Sequence, residues 1–257
     1  MTDYLITGVS TGIGRVLTKE LIDKGHRVLG IARREKLLLN LKEELNGSKK
    51  FNFIKHDIAQ PGSWNRIASQ MRRMKFLPQV VIFNAAILDN DLSETKLINL
   101  KSTNKIFETN FFSNLRAINE LIKLVKPKTK FIFIGSSSAF KGSGEEGIGY
   151  SASKAALNSA FESLHQRFGK TYDFKIIHFG PVKTAMVPFN SKILFMRTPE
   201  QAAMVIINAI DSNNHIFYFP QSLFIFLRFI KLLPSPVYLW VLNLIDSIHQ
   251  KNQKKPS

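Results

Sequence analysis

Along the chain, short runs rich in Ile, Val, Leu and Phe alternate with longer stretches in which apolar residues recur every three or four positions. Runs of the first kind read as buried strands, stretches of the second as amphipathic helices packed on them. Strands are predicted near Asp3 to Thr7, Arg27 to Ala32, Asn52 to His56, Gln79 to Asn84, Lys130 to Ser136, Phe174 to Phe179 and Ile216 to Phe219. Helices are predicted over Gly14 to Lys24, Glu35 to Leu45, Ser63 to Met74, Ser102 to Val125, Tyr150 to Phe168 and Pro199 to Asp211, with Gly25, Gly47 and Gly169 at helix ends. Regular alternation of strand and helix calls for a parallel sheet covered on both faces. The fold class is therefore α/β, with a doubly wound, seven-stranded parallel sheet, and 257 residues suit one such domain, placed over residues 1–220.

From Gln221 the pattern changes. Ser222 to Leu233 and Val237 to Ile248 are apolar segments of about 12 residues each, separated by Pro234-Ser235-Pro236 and well short of the roughly 20 residues of a spanning helix. Arg228 and Lys231 share one helical face, with Phe224, Phe226, Phe229, Ile230 and Leu233 around them. Two readings stay open: peripheral membrane contact through 221–248, or a helical pair that packs on the core, closes a pocket or meets another subunit. In either, 221–257 is an extension and not an independent domain.

The formal charge of +17 raises the question of nucleic acid, but the basic groups are scattered over element ends and form no single stripe. Nucleic-acid binding is not expected; attraction to anionic surfaces is. The chain has no cysteine, which excludes disulfides and thiolate metal sites and permits a reducing compartment. Met1-Thr2-Asp3 leads directly into Tyr4-Leu5-Ile6 without the pattern of a secretory signal, so a cytoplasmic location, with or without membrane contact, is expected.

Candidate chemistry begins where the first strand ends, at Gly8, then Ser10, Thr11, Gly12, Ile13 and Gly14 ahead of a helix. Glycines there let the backbone approach a pyrophosphate, and the helix N-terminus supplies N–H groups and positive potential. The inferred architecture is thus a Rossmann fold. The second strand ends in Arg33-Arg34, about 20 residues on, where an NAD site places a carboxylate. Two guanidinium groups suit a 2′-phosphate, which favours NADP(H) over NAD(H).

Tyr150-Ser151-Ala152-Ser153-Lys154 opens a helix and sets Tyr150 and Lys154 on one face. An ammonium nearby favours the phenolate and makes the phenol a usable acid and base. Together with Gly8, Gly12 and Gly14, this Y-x-x-x-K resembles the short-chain dehydrogenase/reductase family, and the likeness runs over about residues 3–220.

The resemblance implies roles for further residues. Ser137, thirteen residues before Tyr150, would hold the substrate oxygen, with Ser138 in reserve. Asn110, inside the long helix, would complete the catalytic set by holding a water that links Lys154 to solvent. Asp57 and Ile58 would border the adenine, although Asp57 also suits a capping residue. Asn84-Ala85-Ala86 resembles the family's Asn-Ala-Gly and would brace the cofactor site. His178 to Thr184 resembles its Pro-Gly-x-Val-x-Thr with Phe179 in place of Pro, so Val182 and Thr184 would meet the nicotinamide carboxamide. No metal is implied, and a homodimer or homotetramer is the family habit.

The expected reaction is NADPH-driven reduction of a ketone or aldehyde, Tyr150 supplying the proton. Apolar residues between Ala185 and Arg197, among them Met186, Val187, Phe189, Ile193, Leu194, Phe195 and Met196, read as a lid over a lipophilic substrate. The rival readings are a small polar substrate or a non-catalytic dinucleotide-binding scaffold. An epimerase or dehydratase on the same scaffold ranks below these, since it usually has a larger sugar-nucleotide domain after the core.

Overall fold

The structure, a computed structural model, describes residues 1–89, 97–142, 147–186 and 194–253. Strands β1 (Asp3–Thr7), β2 (Arg27–Ala32), β3 (Phe51–Lys55), β4 (Val80–Phe83), β5 (Lys130–Ser136), β6 (Asp173–Phe179) and β7 (Ile216–Phe219) form one sheet in the order β3-β2-β1-β4-β5-β6-β7. Every neighbouring pair is parallel. All seven predicted strands are present, with ends that differ from the prediction by no more than a residue.

Side chains alternate across a strand, and the core divides accordingly. Tyr4 and Ile6 pack with α1 (Gly12–Asp23), α2 (Glu35–Glu44) and α7 (Pro199–Asp211) on one face. Leu5 packs with α3 (Ser63–Arg73), α5 (Ser113–Leu121) and α6 (Ile148–Phe168) on the other. Phe83, Phe131, Phe133 and Phe174 fill that second layer, and Phe83 and Phe133 stack at 5.0 Å. Thr198 and Gln201 start α7 with a reciprocal capping box.

The predicted helix from Ser102 to Val125 is not continuous. It begins as α4 (Leu100–Phe107), widens into a π turn over Glu108–Phe112 and continues as α5. Asn110 explains the widening, because its side chain is tied to a distant segment: Oδ1 accepts from Ile87 N at 2.8 Å, and Nδ2 donates to Ile87 O at 3.0 Å and Ser153 Oγ at 3.2 Å. Ser113 Oγ and Asn114 Nδ2 donate to the Thr109 and Asn110 carbonyls, at 2.6 and 2.9 Å.

The C-terminal region forms α8 (Gln221–Lys231) and α9 (Ser235–Gln253). Phe224, Leu227 and Ile230 of α8 are buried, with Phe140 and Tyr218 of the sheet domain packed against them. Among the described residues no helix is long and apolar enough to cross a membrane. Lys175, which the pattern did not single out, is buried in β6; its ammonium donates to the carbonyls of Ser212 and Asn214 and pairs with Asp173 at 3.3 Å.

Candidate active site

Strand order reverses at β1, which has β2 on one side and β4 on the other, and the connections diverge above the carboxyl ends of the strands. A cleft of about 470 Å³ lies there, lined by the residues that follow β1, β2, β3, β4, β5 and β6. Of the predicted site residues, all but two line it. The exceptions are Gly14 and Asn110.

The first wall is the turn after β1. Gly8 and Gly12 have φ of +77° and +58°, which side chains disfavour. A Cβ at Gly8 would stand 2.9 Å from Ala85 Cα, and one at Gly14 would stand 2.5 Å from Asn84 Nδ2. Gly14 thus serves close packing behind the turn. Asn84 Nδ2 donates to the carbonyls of Thr7 and Gly8 at 3.0 and 3.2 Å, and Thr7 Oγ1 accepts from the N–H groups of Asn84 and Ala85 at 3.1 and 3.0 Å. The segment Asn84-Ala85-Ala86 therefore braces the turn, and Ala86 fits without displacing it.

Arg34 reaches back to the same turn, where Nη2 donates to Ser10 Oγ and Thr11 Oγ1 at 3.1 Å each. Arg33 faces the Asp57 carboxylate at 3.7 Å. Asp57 also accepts from Ala59 N at 3.1 Å, a local turn bond, and Ile58 is buried beside it. Both arginines line the cleft beside the glycine turn and Asp57.

The opposite wall carries Ser137, Tyr150 and Lys154. Ser136 caps a short 3₁₀ turn, Ser137–Ala139, and engages Ser138 through its N–H at 3.1 Å and its hydroxyl at 3.0 Å. Ser137, the other member of the pair, lines the cleft. Tyr150 and Lys154 stand on α6 with the ammonium 5.7 Å from the phenol ring centre, and Lys154 Nζ donates to Ile134 O at 2.9 Å. Burial pushes the Lys154 ammonium down to about 8. Asn110 lies just behind, bound to Ile87 and Ser153, so it fixes α6 and the chain after β4 against each other.

Val182 and Thr184 follow β6. Lys183 N donates to Arg197 O and Arg197 N to Pro181 O, at 2.8 and 2.9 Å, which pins this strip. Phe179, in place of the family's Pro, is buried with its ring near Phe219, and Gly180 N donates to Phe219 O at 2.8 Å, so β7 restrains the turn instead. Of the predicted lid, Met186 lines the cleft, Leu194, Phe195 and Met196 do not, and Val187, Phe189 and Ile193 lie outside the described residues. Ile87, Leu88 and Thr109 also line it and were not anticipated. The continuation of the Asn84-Ala85-Ala86 run pointed to the first two; nothing local marks Thr109.

A crevice at the switch point of a parallel sheet, with a glycine turn on one side and a tyrosine–lysine pair on the other, defines a dinucleotide-dependent oxidoreductase. Comparison with known proteins narrows the class. Residues 3–192 match the family model described as short chain dehydrogenase. The chain is 25% identical over 217 residues to the NADPH-dependent pterin aldehyde reductase of Arabidopsis thaliana, covering 82% of this chain and 89% of that protein. It is 29% identical over 184 residues to the 3-oxoacyl-(acyl-carrier-protein) reductase FabG of Buchnera aphidicola, covering 70% and 72%. In fold it is similar to Pseudomonas aeruginosa RhlG, solved as an NADP active-site complex, with a TM-score of 0.75 at 19% identity over 85% of this chain and 94% of that one. The chain belongs to the short-chain dehydrogenase family and is an NAD(P)-dependent oxidoreductase that interconverts a carbonyl and an alcohol.

Proposed function

We propose that the protein is an NADPH-driven reductase of a lipophilic ketone or aldehyde. The observation that carries the reading is Tyr150 and Lys154 on one wall of a cleft whose other wall is a glycine turn held by Arg34. The cradle suits a dinucleotide, because the turn presents backbone at Gly8 and Gly12, both with positive φ, and a Cβ at Gly12 would stand 3.2 Å from Thr184 Cγ2 on the far side of the cleft. Gly8, Ser10, Thr11, Gly12 and Ile13 would hold the pyrophosphate, Arg33 and Arg34 the 2′-phosphate, and Asp57 and Ile58 the adenine. Asn84, Ala85 and Ala86 would support the central part, and Val182 and Thr184 the nicotinamide end. Such a cofactor supplies hydride exchange when bound.

The chain's own residues do the rest. Tyr150 donates a proton to the carbonyl oxygen during reduction, and Ser137 holds that oxygen beside it. Lys154 sets its ammonium 5.7 Å from the Tyr150 ring centre and binds the ribose of the cofactor. Asn110 positions α6 and the segment after β4. Ile87, Leu88 and Met186 give the substrate end an apolar wall, which supports a lipophilic carbonyl. Two independent names among the relatives, an NADPH-dependent aldehyde reductase and an oxoacyl reductase, support the same direction and bond type.

Residues 221–257 belong to the same unit as 1–220 in this reading, since the buried side of α8 shares its cluster with Phe140 and Tyr218. Assembly as a homodimer or homotetramer is checked by light scattering. The test of function is NADPH oxidation against aldehydes and ketones of increasing chain length. Turnover should rise with chain length, and Tyr150→Phe should lower kcat at least about 10²-fold with NADPH affinity kept. Unchanged turnover in Tyr150→Phe would overturn the assignment.

A further inference from the structure

The outer side of the C-terminal helices is apolar and nothing in the chain covers it among the described residues. Helix α8 buries Phe224, Leu227 and Ile230 and turns Ile225, Phe226 and Phe229 outward, with Phe229 66% exposed and Leu232, directly after the helix, 82% exposed. A helix with apolar side chains on its outer side as well as on its packed side has a second apolar environment to meet. Helix α9 adds Leu239, Leu244 and Trp240, the last 63% exposed. The two consecutive helices thus each expose several large apolar side chains, where an ordinary surface carries them singly.

We infer that this face docks the protein on an anionic lipid bilayer. Charge decides between a bilayer and a second copy of the chain. Over 221–245 the charged side chains are Arg228 and Lys231, with no carboxylate, in a chain of net charge +17. A two-fold contact through this face would set two such segments against each other, whereas an anionic surface matches them. Arg228 and Lys231 lie along aromatic rings, 4.8 Å from the Tyr218 centre and 6.0 Å from the Phe140 centre, at the border between the apolar face and the sheet domain. That is the arrangement in which an interfacial helix buries its apolar side while cationic groups reach the headgroups. Among the described residues neither helix is long and apolar enough to cross the bilayer.

The position also suits the active site. Leu223, in the first turn of α8, presses on Gly180 of the cleft wall so closely that a Cβ there would stand 2.6 Å from Leu223 Cδ2. Docking through the outer side of α8 therefore leaves that one helix between the lipid and the β6 end of the cleft. The docking itself does not rest on the reductase reading.

The test is co-sedimentation of the full chain with vesicles of phosphatidylcholine alone or mixed with phosphatidylserine, at low and high salt. Binding to the mixed vesicles is expected at low salt, at least about tenfold weaker without phosphatidylserine and at high salt. Phe229→Glu and Trp240→Glu, on different helices, should each weaken it at least about tenfold while NADPH affinity and elution volume stay unchanged. No sedimentation with either vesicle, or equal binding to both, would overturn the inference. So would variants that bind vesicles normally or that only convert a dimer to a monomer, which would give the face to a second copy. Because NADPH binding is read separately, loss of docking is distinguished from failure of the active site.

Discussion

Arg34 Nη2 is shared between two neutral hydroxyls, Ser10 Oγ and Thr11 Oγ1, whereas Arg33 faces the Asp57 carboxylate. No carboxylate pairs with Arg34 among the described residues, so its charge is the better placed of the two to serve a phosphate. Arg34→Ala is expected to weaken NADPH binding at least about tenfold and NADH binding no more than about twofold in fluorescence titrations. Equal losses for both would mean that Arg34 only supports the turn. Lys154 carries a different cost. Its folded pKa of about 8 lies below the ordinary 10.5, so the buried ammonium destabilises the fold at neutral pH, and the cost fades as pH rises from about 8 to 10.5. Lys154→Met should therefore raise stability by about 2 kcal/mol at pH 7 in thermal melts while abolishing turnover, the trade expected of a group kept for chemistry. A lower melting temperature would show that the bond to Ile134 O outweighs burial.

The strands were legible because each is a run of branched and aromatic residues that fills its own width of the sheet. β5 and β7 begin and end where the pattern says. The interruption of α4 and α5 was not legible, because the Asn110 bonds that cause it go to Ile87, 23 residues away. The glycine turn and the Tyr150–Lys154 pair could be read since their chemistry needs fixed spacing. Ile87 and Thr109 enter the cleft only because strands and helices converge there. Gly135 is a third kind of case: it reads as the end of a strand, yet its reason is across the sheet. It pairs with His178, and a Cβ on it would stand 2.9 Å from the imidazole Cε1. Gly135→Ala should cost about 1–3 kcal/mol through overpacking and lower kcat, since Ser137 lies two residues further on. A double-mutant cycle with His178→Ala checks this. If the alanine at 135 costs as much without the imidazole, the clash is not with His178.

His178 links the catalytic sheet to the C-terminal helices. It is fully buried, its ring 4.8 Å from Phe140 and 5.4 Å from Tyr218, with Phe224 of α8 at 6.2 Å. Phe140 comes directly after the Ser137–Ala139 turn, so the same ring cluster supports the serine segment and seats α8. Burial pushes the imidazole down to about 4 from its ordinary 6.5, and the Lys154 charge adds to the effect; Arg228 and Lys231 over the neighbouring rings are further cations on that side. The folded chain thus binds fewer protons here than the unfolded one between about pH 4 and 6.5. Stability from the neutral ring is complete above about 6.5 and lost as pH falls to about 4, some 3 kcal/mol in all. In urea denaturation His178→Phe should keep the aromatic packing and remove that part of the acid loss, leaving the carboxylates' share. The same acid slope in both proteins would mean that the ring accepts its proton without leaving the cluster, and that α8 is seated by the surrounding phenyl groups alone.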